Sequence, residues 1–335
     1  MNGDIASVQN NRIIIAPLNW GLGHATRCIP MIKQLLSQNN EIIIASDGES
    51  LELLKEEFPK VVAESIPSYD ITYSYSSMMV NMLTQSKKIL AAIYNEGKAA
   101  KTLVRKHNID LLISDNRLGF YASGVTNIYV THQLHIPHRN PLLSAVANRL
   151  HHHYISKFDF CWVPDYQGKE SLAGMMVEKR TKPKQFFLGP QSRMVSDENV
   201  HQDIDYLIIL SGPEPQRSIL EEKLIDTFYD DKAKNIVLVR GTNILKPLLN
   251  IPTNITVYER LTTTHLNILI NRAKMVVCRS GYTSVMDLVA LGKSAILIPT
   301  PGQYEQEYIA RRLDGLHGFR SYTQEEICRQ LFYDM

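Results

Sequence analysis

Short apolar runs alternate along this chain with longer stretches in which apolar residues recur at helical spacing. In the first half the runs at 12–16, 41–46, 61–66, 110–114, 128–130 and 158–163 have the length and character of strands. Between most of them lie helical patterns, such as Ile29, Ile32, Leu35 and Leu36. Residues 77–106 are more than one crossover needs, so one or two extra helices are expected there. Strand–helix alternation of this kind predicts a parallel, doubly wound α/β sheet with helices on both faces.

The sequence FFLGP at 186–190 closes this pattern, and the polar stretch 191–205 reads as a linker. The same grammar then restarts, with strands expected at 206–210, 235–240, 255–258, 275–278 and 295–299. The expected organisation is a Rossmann-like domain over 1–190, the linker, and a second Rossmann-like domain over 206–320. Residues 321–335 place Ile327, Leu331 and Phe332 on one side of an expected terminal helix that crosses back to the first domain. Two such domains leave a cleft, and ligands of these sheets bind outside the carboxyl ends of the strands.

Composition narrows the function classes. The 335 residues are 44% hydrophobic and 21% charged, as in a globular protein, and the formal net charge of +2 argues against bulk nucleic-acid binding. Residues 1–190 hold 20 Lys and Arg against 16 Asp and Glu, and the remainder holds 16 against 18. An anionic partner is therefore expected on the first half. Cys28, Cys161, Cys278 and Cys328 are scattered, which reads as reduced thiols rather than a zinc site or disulfide framework. The polar N-terminus lacks the apolar segment of a signal peptide, and no apolar run reaches the roughly 20 residues of a membrane span. A cytosolic protein is expected.

Two loops carry the candidate chemistry. After the first strand comes Gly21-Leu22-Gly23-His24, opening a helix. Glycines let an anion approach the free N–H groups of a helix start, and His24 then stands at the strand ends. The third glycine of GxGxxG is missing, so a dinucleotide fingerprint is incomplete. Asp115, Asn116 and Arg117 end another strand. Asp115 is a second candidate base, or a cap for the following helix. In the second half, Arg279-Ser280-Gly281 leads from a strand into a helix opening at Tyr282-Thr283-Ser284, a cradle suited to a diphosphate. Asp287 lies one turn inside that helix, within reach of ribose hydroxyls. Gln303, Glu305 and Gln306 follow the next strand and suit a hydroxyl-rich ligand.

The stretch 276–313 resembles the C-terminal donor-binding domain of GT-B glycosyltransferases of family 28, the MurG type, with VVCRSG at 276–281 carrying the likeness. The resemblance implies a nucleotide-sugar donor, UDP-linked, and an inverting transfer to a hydroxyl acceptor without metal or other cofactor. It implies that Asp287 holds the ribose, where Glu is usual, and that Glu305 and Gln306 replace a Gln pair on the sugar. It further implies that the base pairs near Arg260 and Leu261, and that Gly212 belongs to the first loop of the donor domain. Gly21, Gly23 and His24 match the family's glycine-rich loop, which makes His24 a candidate general base close to the reacting centre. The acceptor-facing part, 66–160, departs from the family, with Thr131-His132-Gln133-Leu134 in place of its HEQN-like segment. His132, Asn116 and Arg117 are expected on the acceptor side. A UDP-sugar 2-epimerase of the same fold and a non-catalytic nucleotide-sugar-binding protein stay as alternatives.

Two features have plainer readings. Adjacent histidines on a helix point about 100° apart, so His151, His152 and His153 are poorly placed to share a metal. The basic, amphipathic segment 78–106 is either an ordinary surface helix or a rest on anionic lipid beneath a lipid-linked acceptor.

Overall fold

The computed structural model describes residues 3–69, 85–138, 140–177, 182–241 and 251–332. The chain divides into two compact units, Met1–Arg193 and Met194–Met335. Unit 1 runs β1 (Arg12–Pro17), α1 (Gly23–Ser37), β2 (Glu41–Ser46), α2 (Gly48–Glu57), β3 (Val62–Ser65), α3 (Ser86–His107), β4 (Leu111–Asp115), β5 (Thr126–Val130), α4 (Pro141–Ile155), β6 (Phe160–Val163) and β7 (Lys184–Phe187). Its sheet is parallel in the order β3-β2-β1-β4-β5-β6-β7.

Continuous apolarity in β1 is explained by burial on both sides of the sheet. Ile13 and Ile15 join one core with Ile29 and Ile32 of α1, while Ile14 and Ala16 join another with Ala100 and Leu103 of α3. The chain reverses direction across the sheet between β1 and β4, where Pro17 pairs with Asp115. The groups leaving those two strand ends are thereby brought side by side.

Unit 2 repeats the plan with β8 (Ile204–Ile209), α5 (Gln216–Phe228), β9 (Ile236–Val239), β10 (Ile255–Tyr258), α6 (Thr263–Arg272), β11 (Ala273–Cys278), α7 (Tyr282–Ala290), β12 (Ala295–Leu297), α8 (Tyr304–Leu313) and β13 (Phe319–Ser321). The strand order is β10-β9-β8-β11-β12-β13, again parallel, and its reversal lies between β8 and β11.

The structure alters several expected elements. β7 (KQFF) and β13 (FRS) lie at the edges of their sheets, where polar residues break the apolar run. The stretch 191–205 is divided by the unit boundary. Beyond it the Val195 and Asp197 N–H groups bond the Asn267 and Asn271 side chains at 2.9 and 3.0 Å, which fastens this part to α6. The terminal helix expected over 321–335 is absent from the described residues there, which hold only a 3-10 turn, Arg329–Phe332. Ile327 and Phe332 are consumed by the core of unit 2, with the Phe332 ring 4.7 Å from that of Phe228, so no apolar stripe is left to carry a helix elsewhere. Of the basic segment 78–106, residues 78–84 lie outside the described residues, Gln85 is the N-cap of α3, and 86–106 fall in that single helix.

At one point the backbone of α3 meets the β4–β5 connection with no space to spare. A Cβ on Gly119 would be built into the Ile93 carbonyl, and the Gly119 N–H donates to Glu96 Oε2 at 3.0 Å. Gly119→Ala is expected to destabilise unit 1 by about 1–3 kcal/mol through this overpacking, read as a lowered midpoint in denaturant unfolding.

Candidate active site

In unit 1 the candidate site is built at the β1/β4 reversal. Gly21 takes φ +75°, a left-handed turn that glycine adopts without strain, and α1 then opens with no side-chain cap on its first N–H groups. His24 sits on the first turn, with its side chain 13% exposed. Its Nδ1 lies 2.8 Å from Oδ1 of Asp115, which ends β4. Three residues further along α1, Arg27 is 1% exposed and grips both Asp115 oxygens, with Nε donating to Oδ2 at 2.6 Å and Nη2 to Oδ1. The Cys28 thiol adds a 3.4 Å contact to Oδ2. Nη1 of Arg27 continues to Nδ1 of His132 at 3.0 Å, just beyond β5.

Oδ1 of Asp115 accepts from Arg27 Nη2, and His24 Nδ1 lies 2.8 Å from that oxygen and 2.9 Å from that nitrogen. In the tautomer with its proton on Nδ1, His24 donates to Oδ1 and keeps the Nε2 lone pair. His132 accepts from Arg27 at Nδ1. Burial by itself would raise the Asp115 pKa, but the charges of Arg27 and His24 and their hydrogen bonds outweigh it and hold the carboxyl ionised, far below its ordinary range. Burial, then the Arg27 charge, lowers the His24 pKa below its ordinary 6.5, against the opposing pull of Asp115. The result is a neutral imidazole at neutral pH, oriented by a permanent carboxylate. That is the constitution of a general base.

In unit 2 the corresponding reversal brings together the loops after β8 and β11. Gly212 takes φ +98°, and a Cβ added there would meet Thr300 Oγ1 at 3.5 Å. Gly281 is the N-cap of α7, with open space where a side chain would stand. Thr283, Ser284 and Asp287 of α7 and Glu305 of α8 are partly exposed around it. Arg279 is turned inward. Its Nη1 donates to the Ile298 and Pro299 carbonyls at 3.4 and 3.1 Å, and its Nη2 to the Gln216 carbonyl and Gln324 Oε1, each at 2.7 Å. Among the described residues no carboxylate pairs with it, and burial draws its pKa down to about 10. Arg279 Nε and Thr300 Oγ1 are enclosed without a hydrogen-bond partner among the described residues, an arrangement that folding alone disfavours.

Residues 216–332 match the glycosyltransferase family 28 C-terminal domain. An uncharacterized glycosyltransferase of Methanosarcina acetivorans is 24% identical over 320 residues, covering 88% of this chain and 81% of the relative. The UDP-N-acetylglucosamine–N-acetylmuramyl-(pentapeptide) pyrophosphoryl-undecaprenol N-acetylglucosamine transferase of Lactobacillus acidophilus is 22% identical over 311 residues, covering 87% and 80%. Among solved structures, the glycotransferase of kitacinnamycin superposes with a TM-score of 0.69 at 13% identity, covering 97% of this chain and 90% of that one. The chain is a glycosyltransferase of the GT-B fold, and its residues 216–332 form a family 28 C-terminal domain. These matches to transferases leave the epimerase alternative without support.

Several residues named from the transferase's sequence take other roles in the structure. His24 and Asp115 are one hydrogen-bonded pair rather than competing bases. Arg117, expected on the acceptor side, is fully buried. It pairs with Asp47, with Glu96 Oε1 at 3.1 Å and with the Pro17 carbonyl at 3.0 Å, because an enclosed guanidinium must spend its donors inside. Asn116 accepts from the Tyr129 hydroxyl at 3.2 Å. Arg279, expected on the diphosphate, braces two backbone segments and the Gln324 side-chain amide. Ser280 is likewise buried, with its hydroxyl on the Gln306 carbonyl at 2.9 Å, and the Tyr282 side chain is buried too. Gln306 bonds the Thr300 N–H at 2.9 Å and Gln303 at 2.7 Å, stiffening the loop before α8. Arg260 and Leu261 follow β10, the sheet edge, two strands from β8. Of the histidine run, His151 and His152 bond the Gln133 and Leu134 carbonyls, and His153 is exposed.

Arg27 had no place among the sequence candidates, although its spacing of three from His24 puts both on one side of α1. Asp115→Asn is expected to lose about 3–5 kcal/mol of stability by stranding the buried Arg27 charge. Combining it with Arg27→Met should recover much of that loss, as a double-mutant cycle in urea would measure. Arg27→Met alone removes a positive charge beside His24. The imidazole titration followed by NMR should move from below 6.5 in the wild type to higher pH.

Proposed function

We infer that this transferase moves a sugar from a UDP-sugar to a hydroxyl acceptor by single displacement with inversion, and that His24 is the base. The observation that carries the reading is the His24–Asp115 pair, an imidazole nitrogen 2.8 Å from a buried carboxylate that Arg27 also grips. The acceptor oxygen attacks the anomeric carbon as its proton passes to His24 Nε2. The bond from that carbon to the diphosphate oxygen breaks, and its electron pair leaves with the diphosphate. Asp115 stabilises the imidazolium so formed.

Unit 2 takes the donor. The open N-terminus of α7 offers backbone N–H groups and the Thr283 hydroxyl to the leaving diphosphate, and Asp287 takes the ribose. In this scheme no metal is required, because charge develops against helix N–H groups. Support for uridine and for a lipid-linked acceptor comes from the names of both groups in the Lactobacillus acidophilus relative.

A thermal-shift panel of UDP, GDP, dTDP and CMP, each with and without Mg²⁺, tests the donor. UDP is expected to stabilise the chain selectively and without Mg²⁺, by about 2.7 kcal/mol at 100 times its Kd, and Asp287→Ala should abolish the shift. With the donor in hand, His24→Ala should lower kcat by about 10²–10⁴-fold with the UDP shift intact. An unchanged kcat would remove His24 from the mechanism.

A further inference from the structure

Of the two tryptophans in the chain, the core consumes only one. Trp162 of β6 is fully buried, and its Nε1–H donates to the Gly3 carbonyl at 2.7 Å. Trp20 stands in the loop between β1 and α1, partly exposed, and its Nε1–H has no partner among the described residues. The loop around it is nonetheless pinned. Arg117 Nε donates to the Pro17 carbonyl, and the Leu18 N–H to the Asp115 carbonyl, each at 3.0 Å. Asn19 Nδ2 donates to Asp47 Oδ2 at 3.2 Å, and Asn19 Oδ1 accepts from the Ser50 N–H at 3.3 Å. The Trp20 and Tyr69 rings then meet edge-on, with centroids 5.9 Å apart, and the Tyr69 hydroxyl donates to buried Glu96 at 2.8 Å. Asp47, Arg117 and Glu96 have no part in the sugar transfer, and the chain of contacts they form ends on an indole.

That indole stands at the strand ends that carry the base. Trp20 precedes His24 by four residues, with the left-handed Gly21 between them, and Leu118 follows Asp115 by three. Trp20 and Leu118 pack with Ile89 of α3 and Tyr154 of α4 on one small buried cluster around Ile93. All four are partly exposed, so they form an apolar patch beside the His24–Asp115 pair. The polar side chains behind the patch, Asn19, Asp47, Glu96 and Arg117, are bonded to one another or to backbone. A sugar ring needs hydrogen-bond partners for the hydroxyls it buries, and such partners are scarce here. A flat apolar ring needs contact and shape, which aromatic side chains supply best.

We propose that Trp20 binds the acceptor and that the acceptor is a hydroxylated aromatic compound, its ring packed on the indole and its hydroxyl at His24. This rests on the reading of His24 as the base and names the acceptor class of that same site. The phenolic oxygen bonds the anomeric carbon and its proton passes to His24 Nε2, while the bond to the diphosphate oxygen breaks and its electron pair leaves with the diphosphate. An indole fixed before the ligand arrives loses little freedom on binding, which is what the contacts from Asp47 through Tyr69 provide. Ring and hydroxyl belong to one molecule, so indole and imidazole together orient the attacking oxygen. Asp47, Arg117 and Glu96 are positioning residues in this arrangement and touch no ligand.

Fluorine NMR of the full chain labelled with fluorotryptophan tests this, with the two resonances assigned by Trp20→Phe and Trp162 as the internal control. Umbelliferone is the aromatic probe and methyl glucopyranoside the sugar probe. Umbelliferone should shift the Trp20 resonance saturably and leave that of Trp162 in place, while the glucoside moves neither. Trp20→Ala should weaken umbelliferone binding, measured by calorimetry, by at least about tenfold. Trp20→Phe, which keeps an aromatic ring, should recover most of that loss and melt like the wild type. A Trp20 resonance that umbelliferone leaves in place overturns the proposal, as does one that the glucoside moves equally far, since the acceptor ring is then a sugar. A Trp20→Ala variant that binds umbelliferone as the wild type does also overturns it. Failure here is distinct from failure of the base, because probe binding is read without turnover and His24 is judged by kcat.

Discussion

The candidate site of unit 1 depends on a buried cation. Arg27 lies on the inward side of α1 at the point where β1 and β4 part, and its charge has no access to water. A guanidinium in that position demands a carboxylate, and Asp115 meets it with both oxygens. The pairing ties the start of α1 to the end of β4 and keeps Asp115 ionised. The orientation of His24 follows from it, and Arg27 reaches on to His132 Nδ1. The cation that ties two elements together is also the charge that lowers the His24 pKa after burial.

The same device recurs with different partners. Arg117 and Arg279 are also almost fully enclosed at strand ends. Arg117 is answered by two carboxylates, Asp47 and Glu96. Arg279 is answered by carbonyls and a side-chain amide, and its lowered pKa reflects that weaker compensation. In each case rigidity is placed behind a glycine-bearing or left-handed loop. The charged side chains hold the backbone of those loops from the inside. Arg279, which looks like an anion contact in the sequence, is spent on that scaffold.

Much of this protein is legible in its amino-acid sequence. Two parallel α/β units, most of their strands, the glycine loops and the family 28 resemblance all rest on local patterns, which periodicity and short motifs report faithfully. The edge strands β7 and β13 are hidden because Lys184, Gln185, Arg320 and Ser321 break their apolar runs. The terminal segment misleads because an apolar stripe does not say which core will claim it. In helix α4 the three adjacent histidines are the louder signal, and that two of them bond the Gln133 and Leu134 carbonyls is known only from the packed chain.

The sequence by itself determined which residues could carry chemistry, because His24, Asp115, Gly281 and Asp287 fall at strand ends or in the first turns of helices, where an α/β fold presents its ligands. Only the tertiary structure decided how they act. Asp115 lies 91 residues from His24 and 88 from Arg27, and their union comes from the parallel pairing of β1 with β4. Whether a given arginine reaches a ligand or is consumed in the interior is a question of burial, and burial is a property of the packed chain.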